Sequence, residues 1–280
     1  MQSLVSAPAA ARRLHGLLEP IHLVTYMSDE PTDALRALGL RDNYWDGYFA
    51  GRAAPLGPVP ATVVHAAFYN FADGEVARHI PRVWDTVTPE AALAAREQGA
   101  VAALRRILGG LADAPGLARA ADLAAGAATS APTEGRILYS ALRTLPLPEE
   151  PVARLWHAAT LLREHRGDGH IAALVTAGIG GTQAHVLHAL SEGIPAQKFG
   201  RIHHLPADQL AAVVDGLRAR GLIDASGWLS AAGQQVKERI ESLTDDLAAP
   251  AYAGLQPGQL DQLIADLEPI TAALDAVGSR

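Results

Sequence analysis

The sequence predicts a mainly α protein of duplicated helix-turn-helix/winged-helix units with a short β-hairpin wing, on three observations. Long Ala/Leu stretches broken by Pro and Gly dominate, and period-2 alternation is scarce. A block beginning at Tyr48 is echoed at Tyr139, with Arg52 matching Arg143, Pro55-Leu56 matching Pro146-Leu147 and Pro60 matching Pro151. The third is a glycine turn, Gly178 to Gly181, between two short apolar-periodic stretches.

Taken in order, a first helix is expected over 9–26, with Leu14, Leu17, Leu18 and Ile21 on its apolar side and a kink at Pro20. A Gly/Pro-rich turn over 51–60 leads into a helix from Ala61. Thr88-Pro89-Glu90, a capping residue followed by proline at the first helical position, opens a helix over 91–111. The small, polar stretch 127–135 reads as a linker between domains. In each copy of the repeat an Asp-Gly pair, Asp73-Gly74 and Asp168-Gly169, is expected to end a helix before another begins. Helices over 170–177 and 182–190 then form a helix-turn-helix, and a helix over 206–220 stops at Gly221. Leu222-Ile223-Asp224 and Trp228-Leu229-Ser230 flank a tight turn and give the hairpin, before a helix over 231–247. A terminal helix over 256–277 carries Leu260, Leu263, Ile264, Leu267, Ile270 and Leu274 as one apolar stripe. The stripe must cover the N-terminal helix or meet a second copy, and a homodimer is expected. The domain reading is an N-terminal helical arm (1–45), a first helix-turn-helix-like unit (46–126), a winged-helix unit (136–250) and a C-terminal helix (251–280).

Composition narrows the function classes. At 280 residues, 49% hydrophobic and 19% charged, the chain is globular in balance. No apolar run reaches membrane-spanning length and the N-terminus lacks a basic-then-apolar leader pattern, so a cytoplasmic location is expected. The absence of cysteine excludes disulfides, thiolate metal sites and cysteine nucleophiles. The net charge is −7 with no basic run to match a phosphate backbone.

The densest polar constellation falls between Arg154 and His170. On a helix, His157, Glu164 and His165 share one side with Arg154 and Leu161, while Val152, Leu155, Trp156, Ala159 and Leu162 face the core. Imidazole with carboxylate and guanidinium suits proton transfer, metal ligation or an anionic ligand, so His157, Glu164 and His165 are the candidate catalytic residues. Arg163, Asp168 and His170 are candidate ligand-binding residues, and Asp168 is also placed to cap a helix starting near His170. On the first helix His15, Glu19, His22 and Tyr26, spaced four, three and four apart, can line one side. Of these Glu19, His22 and Tyr26, together with Arg52 and Tyr69 from the aromatic-rich region 44–71, complete the candidate ligand site. No HExxH, GxGxxG, Walker or GxSxG motif occurs, and neither a metal nor a cofactor is specified. His185 and His188 read as hydrogen-bonded structural histidines, and His203 and His204 as an exposed loop.

The segment "LRARGLIDASGWLSAAGQQVKERIE" resembles MarR-type winged-helix proteins, a likeness covering about 205–247. Across most of the chain, "EPIHLVTY", "GYFAGRAAPLG", "FYNF" and "LWHAATLLREHRGDGHIAAL" are similar to an actinobacterial helix-turn-helix family. The MarR resemblance implies a dimeric DNA-binding regulator whose wing carries arginine, whereas residues 225–228 here contain no basic residue. Charges over 206–220 cancel and those over 221–250 leave a net −3, the wrong sign for phosphate contacts. The leading expectation is therefore a protein that binds a small molecule in a His/Arg/Glu-lined pocket, with or without turnover. A MarR-type DNA-binding regulator and a His/carboxylate metalloenzyme are the alternatives.

Overall fold

The computed structural model describes residues 6–41, 44–199 and 205–278, and His203 and His204 lie outside them. Twelve α-helices are formed among the described residues: α1 (Ala7–Met27), α2 (Asp29–Arg36), α3 (Tyr44–Ala53), α4 (Ala61–Phe68), α5 (Pro89–Leu108), α6 (Pro115–Ser130), α7 (Ile137–Leu142), α8 (Pro151–Thr176), α9 (Gly181–Ser191), α10 (Ala207–Ala219), α11 (Ala231–Ala248) and α12 (Pro257–Gly278). None is long and apolar enough to cross a membrane.

The architecture turns on α8. Proline at its first position and the Glu150 carboxylate, accepting from Ala153 N at 2.7 Å, set its start. It then runs for 26 residues, about 39 Å at the helical rise. Helices α1, α5, α6, α7 and α11 all pack against it. Its first half, including Val152, Leu155, Trp156 and Leu162, belongs to the main core, and Ala173 and Leu174 near its end belong to a second core with Ile179, Val186, Leu187, Leu217 and Ile240. One helix thus joins the bundle to the helix-turn-helix formed by α8, the turn at 177–180 and α9. The aromatic-rich region closes on itself within the main core, with Phe49 stacked on Phe68 and 4.9 Å from Phe71.

Several expectations are corrected. The Asp168-Gly169 pair does not break α8. Arg136 explains why: its guanidinium donates to His165 O at 2.7 Å and Leu247 O at 2.8 Å, and a Cβ on Gly169 would lie 2.1 Å from its Nη1. Glycine is there for close approach. Asp168 caps α7 instead, accepting from Tyr139 N at 2.9 Å. The two copies of the supposed repeat diverge after their proline. The first has an eight-residue helix, a turn at Gly74 and 3₁₀ segments, where the second has continuous helix. The reading of 127–135 as a linker fails in its first part, because alanine sustains α6 to Ser130 and Tyr139 OH donates to Ala128 O and Ala131 O. The β-hairpin wing is not formed as a sheet. One antiparallel bridge, Ile223 to Leu229, is all that remains, since Asp224 Oδ1 draws in Ser226 N, Ser226 Oγ and Trp228 N and leaves no length for strands.

Helix α12 packs against α6 and α1, burying Leu263, Leu267, Ile270 and Leu274. The stripe that motivated a homodimer is therefore covered within the chain, and continues through Pro269. Leu267→Ala should lower stability by about 2–5 kcal/mol in denaturant melts and leave the solution mass unchanged. A smaller mass with unaltered stability would place the stripe between copies instead.

Candidate functional site

Helices α1 and α8 meet along a polar ladder. Trp156 Nε1 donates to Thr25 Oγ1 at 2.9 Å, His22 Nδ1 lies 3.0 Å from Thr160 Oγ1, and Arg163 Nε lies 3.5 Å from Glu19 Oε2. Steps of three residues on α1, descending as steps of four and three ascend on α8, are what two antiparallel helices produce. Of the residues spaced along α1 in the sequence, Glu19 and His22 are rungs of this ladder, and the Tyr26 ring lies edge-on to His22 at 5.3 Å.

At its centre sits Glu164. Arg52 reaches it from α3 with Nε and Nη2, each at 3.3 Å, and Arg163 Nη1 donates to it at 3.0 Å. Arg52 also donates to Tyr48 OH at 2.8 Å and lies over the Phe68 ring at 4.2 Å. Burial opposes ionisation of Glu164, but Arg163 and Arg52 outweigh it and hold its pKa well below the usual carboxylate range. Burial likewise disfavours charge on Arg52, and Glu164 overcomes it. A carboxylate held this way is an anchor for two cations and a poor proton acceptor.

The three candidate catalytic residues are buried, at 4%, 2% and 1% exposure for His157, Glu164 and His165, but face no common space. His157 stands two turns before Glu164, about 10 Å away along the axis, and burial followed by Arg96 lowers its pKa to about 4. His165 turns toward α7, edge-on to the Tyr139 ring at 5.0 Å, and burial followed by Arg136 lowers it to about 4. Asp168 is pushed up to about 7 by burial, against the pull of the Tyr139 N–H. Among the described residues no three His, Asp or Glu side chains are grouped to hold a metal ion.

The candidate ligand residues divide. Glu19, His22, Tyr26, Arg52 and Arg163 join the network around Glu164, with the Tyr26 ring 5.3 Å from His22 and 5.2 Å from Tyr48. Tyr69, at the C-terminus of α4 with φ of 59°, serves as a joint: its hydroxyl donates to Ile179 O at 2.6 Å, and its carbonyl approaches Gly181 so closely that a Cβ there would lie 2.0 Å from it. His170 Nδ1 lies 3.0 Å from Thr244 Oγ1 of α11.

Toward the helix-turn-helix the ladder opens into a cleft of about 400 Å³. Helix α1 contributes His15 and Glu19; α8 contributes Arg163, Arg166, Gly167, His170 and Leu174; α9 contributes Ala184, His185, Leu187 and His188; α11 contributes Lys237, Ile240 and Glu241. Arg166 fixes α11 to α8 through Asp245 at 2.8 Å and Glu241 at 3.2 Å, while Arg12 of α1 pairs with the same Asp245. Burial depresses the pKa of both His15 and His170, so their imidazoles are neutral near pH 7. Sequence reasoning missed Arg166, Lys237 and Glu241 as site residues and read His185 and His188 as structural. Their only signal was helical phase against α8, which is invisible until α11 and α9 are docked.

A bundle joined by one shared helix to a helix-turn-helix defines the class. The chain matches a family described as a helix-turn-helix family over residues 11–279, and it belongs to that family. No curated protein and no solved structure matches it.

The buried titratable groups give stability a definite pH dependence. His157 and His165 have folded pKa values below the ordinary 6.5, so their contribution is complete above that value and declines as pH falls toward 4. Asp168, raised from 3.8 to about 7, acts oppositely and costs stability as pH rises through that window. Asp168→Asn, which keeps an acceptor for Tyr139 N, should therefore be more stable than wild type at pH 8, with the gap closing as pH falls toward 4. Denaturant midpoints across pH 4–8 check this, and a gap that widens in acid would refute it.

Proposed function

We propose that the chain is a small-molecule-binding, cytoplasmic member of the helix-turn-helix family, with its ligand held in the cleft bounded by α1, α8, α9 and α11. The cleft carries the reading. At about 400 Å³ it falls in the range of small-molecule sites, roughly 300–1,000 Å³. Its walls come from both sides of the shared helix, so occupancy bears directly on how the helix-turn-helix is held. The Arg166 link to Glu241 and Asp245 gives a ligand a route to α11, because an acidic group beside Arg166 competes with those carboxylates.

A thermal-shift screen of small metabolite-like acids and neutral compounds tests the proposal. A ligand at a hundred times its Kd should add about 2.7 kcal/mol of stability, and Ala184→Phe, which fills the cleft wall, should abolish the shift. Ligands that stabilise this variant as well as wild type would place the site elsewhere and defeat the reading.

DNA binding is the second reading, and membership of a helix-turn-helix family favours it. Helix α9, the second of the helix-turn-helix, carries no lysine or arginine, and the exposed side of α10, which leads to the 223–229 bridge, offers Asp208, Gln209 and Asp215, while Arg218 is engaged by Asp215 and Arg220 by Gly178 O. Phosphate neutralisation needs free cations on that side. Anisotropy titrations with duplex DNA should accordingly give weak binding, with Kd on the order of 10⁻⁴–10⁻⁶ M near physiological salt. A nanomolar complex that survives 150 mM salt and is lost in the Arg218→Ala, Arg220→Ala double variant would put DNA first.

A further inference from the structure

We infer that the cleft takes a compact amphipathic anion, its carboxylate, sulfonate or phosphate head over Gly167 between Arg163 and Arg166, and its apolar or aromatic body extended toward Leu174. The inference rests on the reading of the cleft as a ligand site and specifies what that ligand must be.

The floor of the cleft is one stripe of α8. Residues 163, 166, 167, 170 and 174 recur at helical steps and span about 16 Å from first to last. Chemistry changes along it, from two guanidinium groups through an imidazole to a leucine. The walls change in step. Leu187, Ile240 and Phe199 pack with Leu174 in the second core, and the Phe199 ring lies 5.4 Å from that of His188. At the other end stand Arg163 and Arg166, with Glu19 on α1 and Glu241 on α11, while Lys237, one turn along α11 from Glu241, adds a third cation to a lining that holds two carboxylates. Arg166 spends Nη2 on both Glu241 and Asp245, and its Nε is buried with no protein acceptor.

Gly167 supplies the independent observation. A glycine inside a helix costs stability relative to alanine, and neighbours such as Gly169 repay this by admitting another group. Gly167 admits none: a Cβ there would meet nothing nearer than Glu164 Oε2, at an ordinary 3.5 Å. No packed neighbour requires this glycine, as none requires Gly16, Gly126 or Gly216 in other helices, and what sets Gly167 apart is its place on the cleft lining. It leaves bare backbone on the cleft floor between two arginines, where the broad, flat head of an anion can sit close to both.

Two probes of matched shape separate head from body: 8-anilino-1-naphthalenesulfonate and its neutral counterpart N-phenyl-1-naphthylamine, titrated by fluorescence into the full chain. The sulfonate is expected to saturate at one per chain, about tenfold or more tighter than the neutral probe. Gly167→Ala should raise the melting temperature while weakening the sulfonate, Gly167→Leu should weaken it by about tenfold or more, and Lys237→Gln should weaken the sulfonate alone. Equal affinities for the two probes, both lost in Ala184→Phe, would leave the cleft a ligand site and overturn the anionic assignment. Sulfonate binding that ignores Gly167→Leu would also overturn it, and failure of both probes to bind would overturn the ligand-site reading as well.

Discussion

The ion triad Arg52–Glu164–Arg163 is the interaction on which the rest of the structure depends. Helix α8 is buried on nearly every side, and a helix in that position is ordinarily apolar all round. This one instead carries a carboxylate, guanidinium groups and imidazoles into the core. An unpaired charge there would cost several kcal/mol. Glu164 resolves the conflict by taking one arginine from α3 and one from its own helix, with burial and pairing both complete. The partner from α3 fixes how the 44–56 region docks, and Arg163 extends the charge to Glu19 on α1.

The remaining features follow from keeping α8 unbroken. Arg136 fills the space left by Gly169 and ties the middle of α8 to the end of α11. Because the helix continues, its final turns become the first helix of the helix-turn-helix, and the cleft forms where the α1 ladder runs out against α9 and α11. The site is a product of continuity: a break at 168–169 would separate Arg163 and Arg166 from His170 and Leu174.

Much of the fold was legible as pattern. Helix α5, with Thr88 Oγ1 accepting from Ala91 N, and the terminal stripe of α12 obey local rules of capping and periodicity. Glu19 and His22, spaced along α1, do share one polar side, and Arg52 and Arg163 meet beside it at Glu164. Three things lay beyond sequence reading because their causes are remote. Gly167-Asp168-Gly169 looks like a helix end until Arg136 is seen against it. The supposed polar and apolar sides of α8 are both interior, since helices surround it. Asp224 consumes the wing through hydrogen bonds to Ser226 and Trp228 that an alternation pattern does not encode.

A double-mutant cycle between Arg52 and Glu164 tests the central claim most directly. With Arg52→Met and Glu164→Leu measured singly and together by denaturant unfolding, Glu164→Leu should cost about 3–5 kcal/mol, because it strands the buried Arg52, and Arg52→Met less, because Glu164 keeps Arg163. The double variant should cost clearly less than their sum, by more than roughly 1 kcal/mol, because the second change removes a partner already lost. Costs that simply add, or single changes that cost almost nothing, would show that the triad does not hold α8 in place.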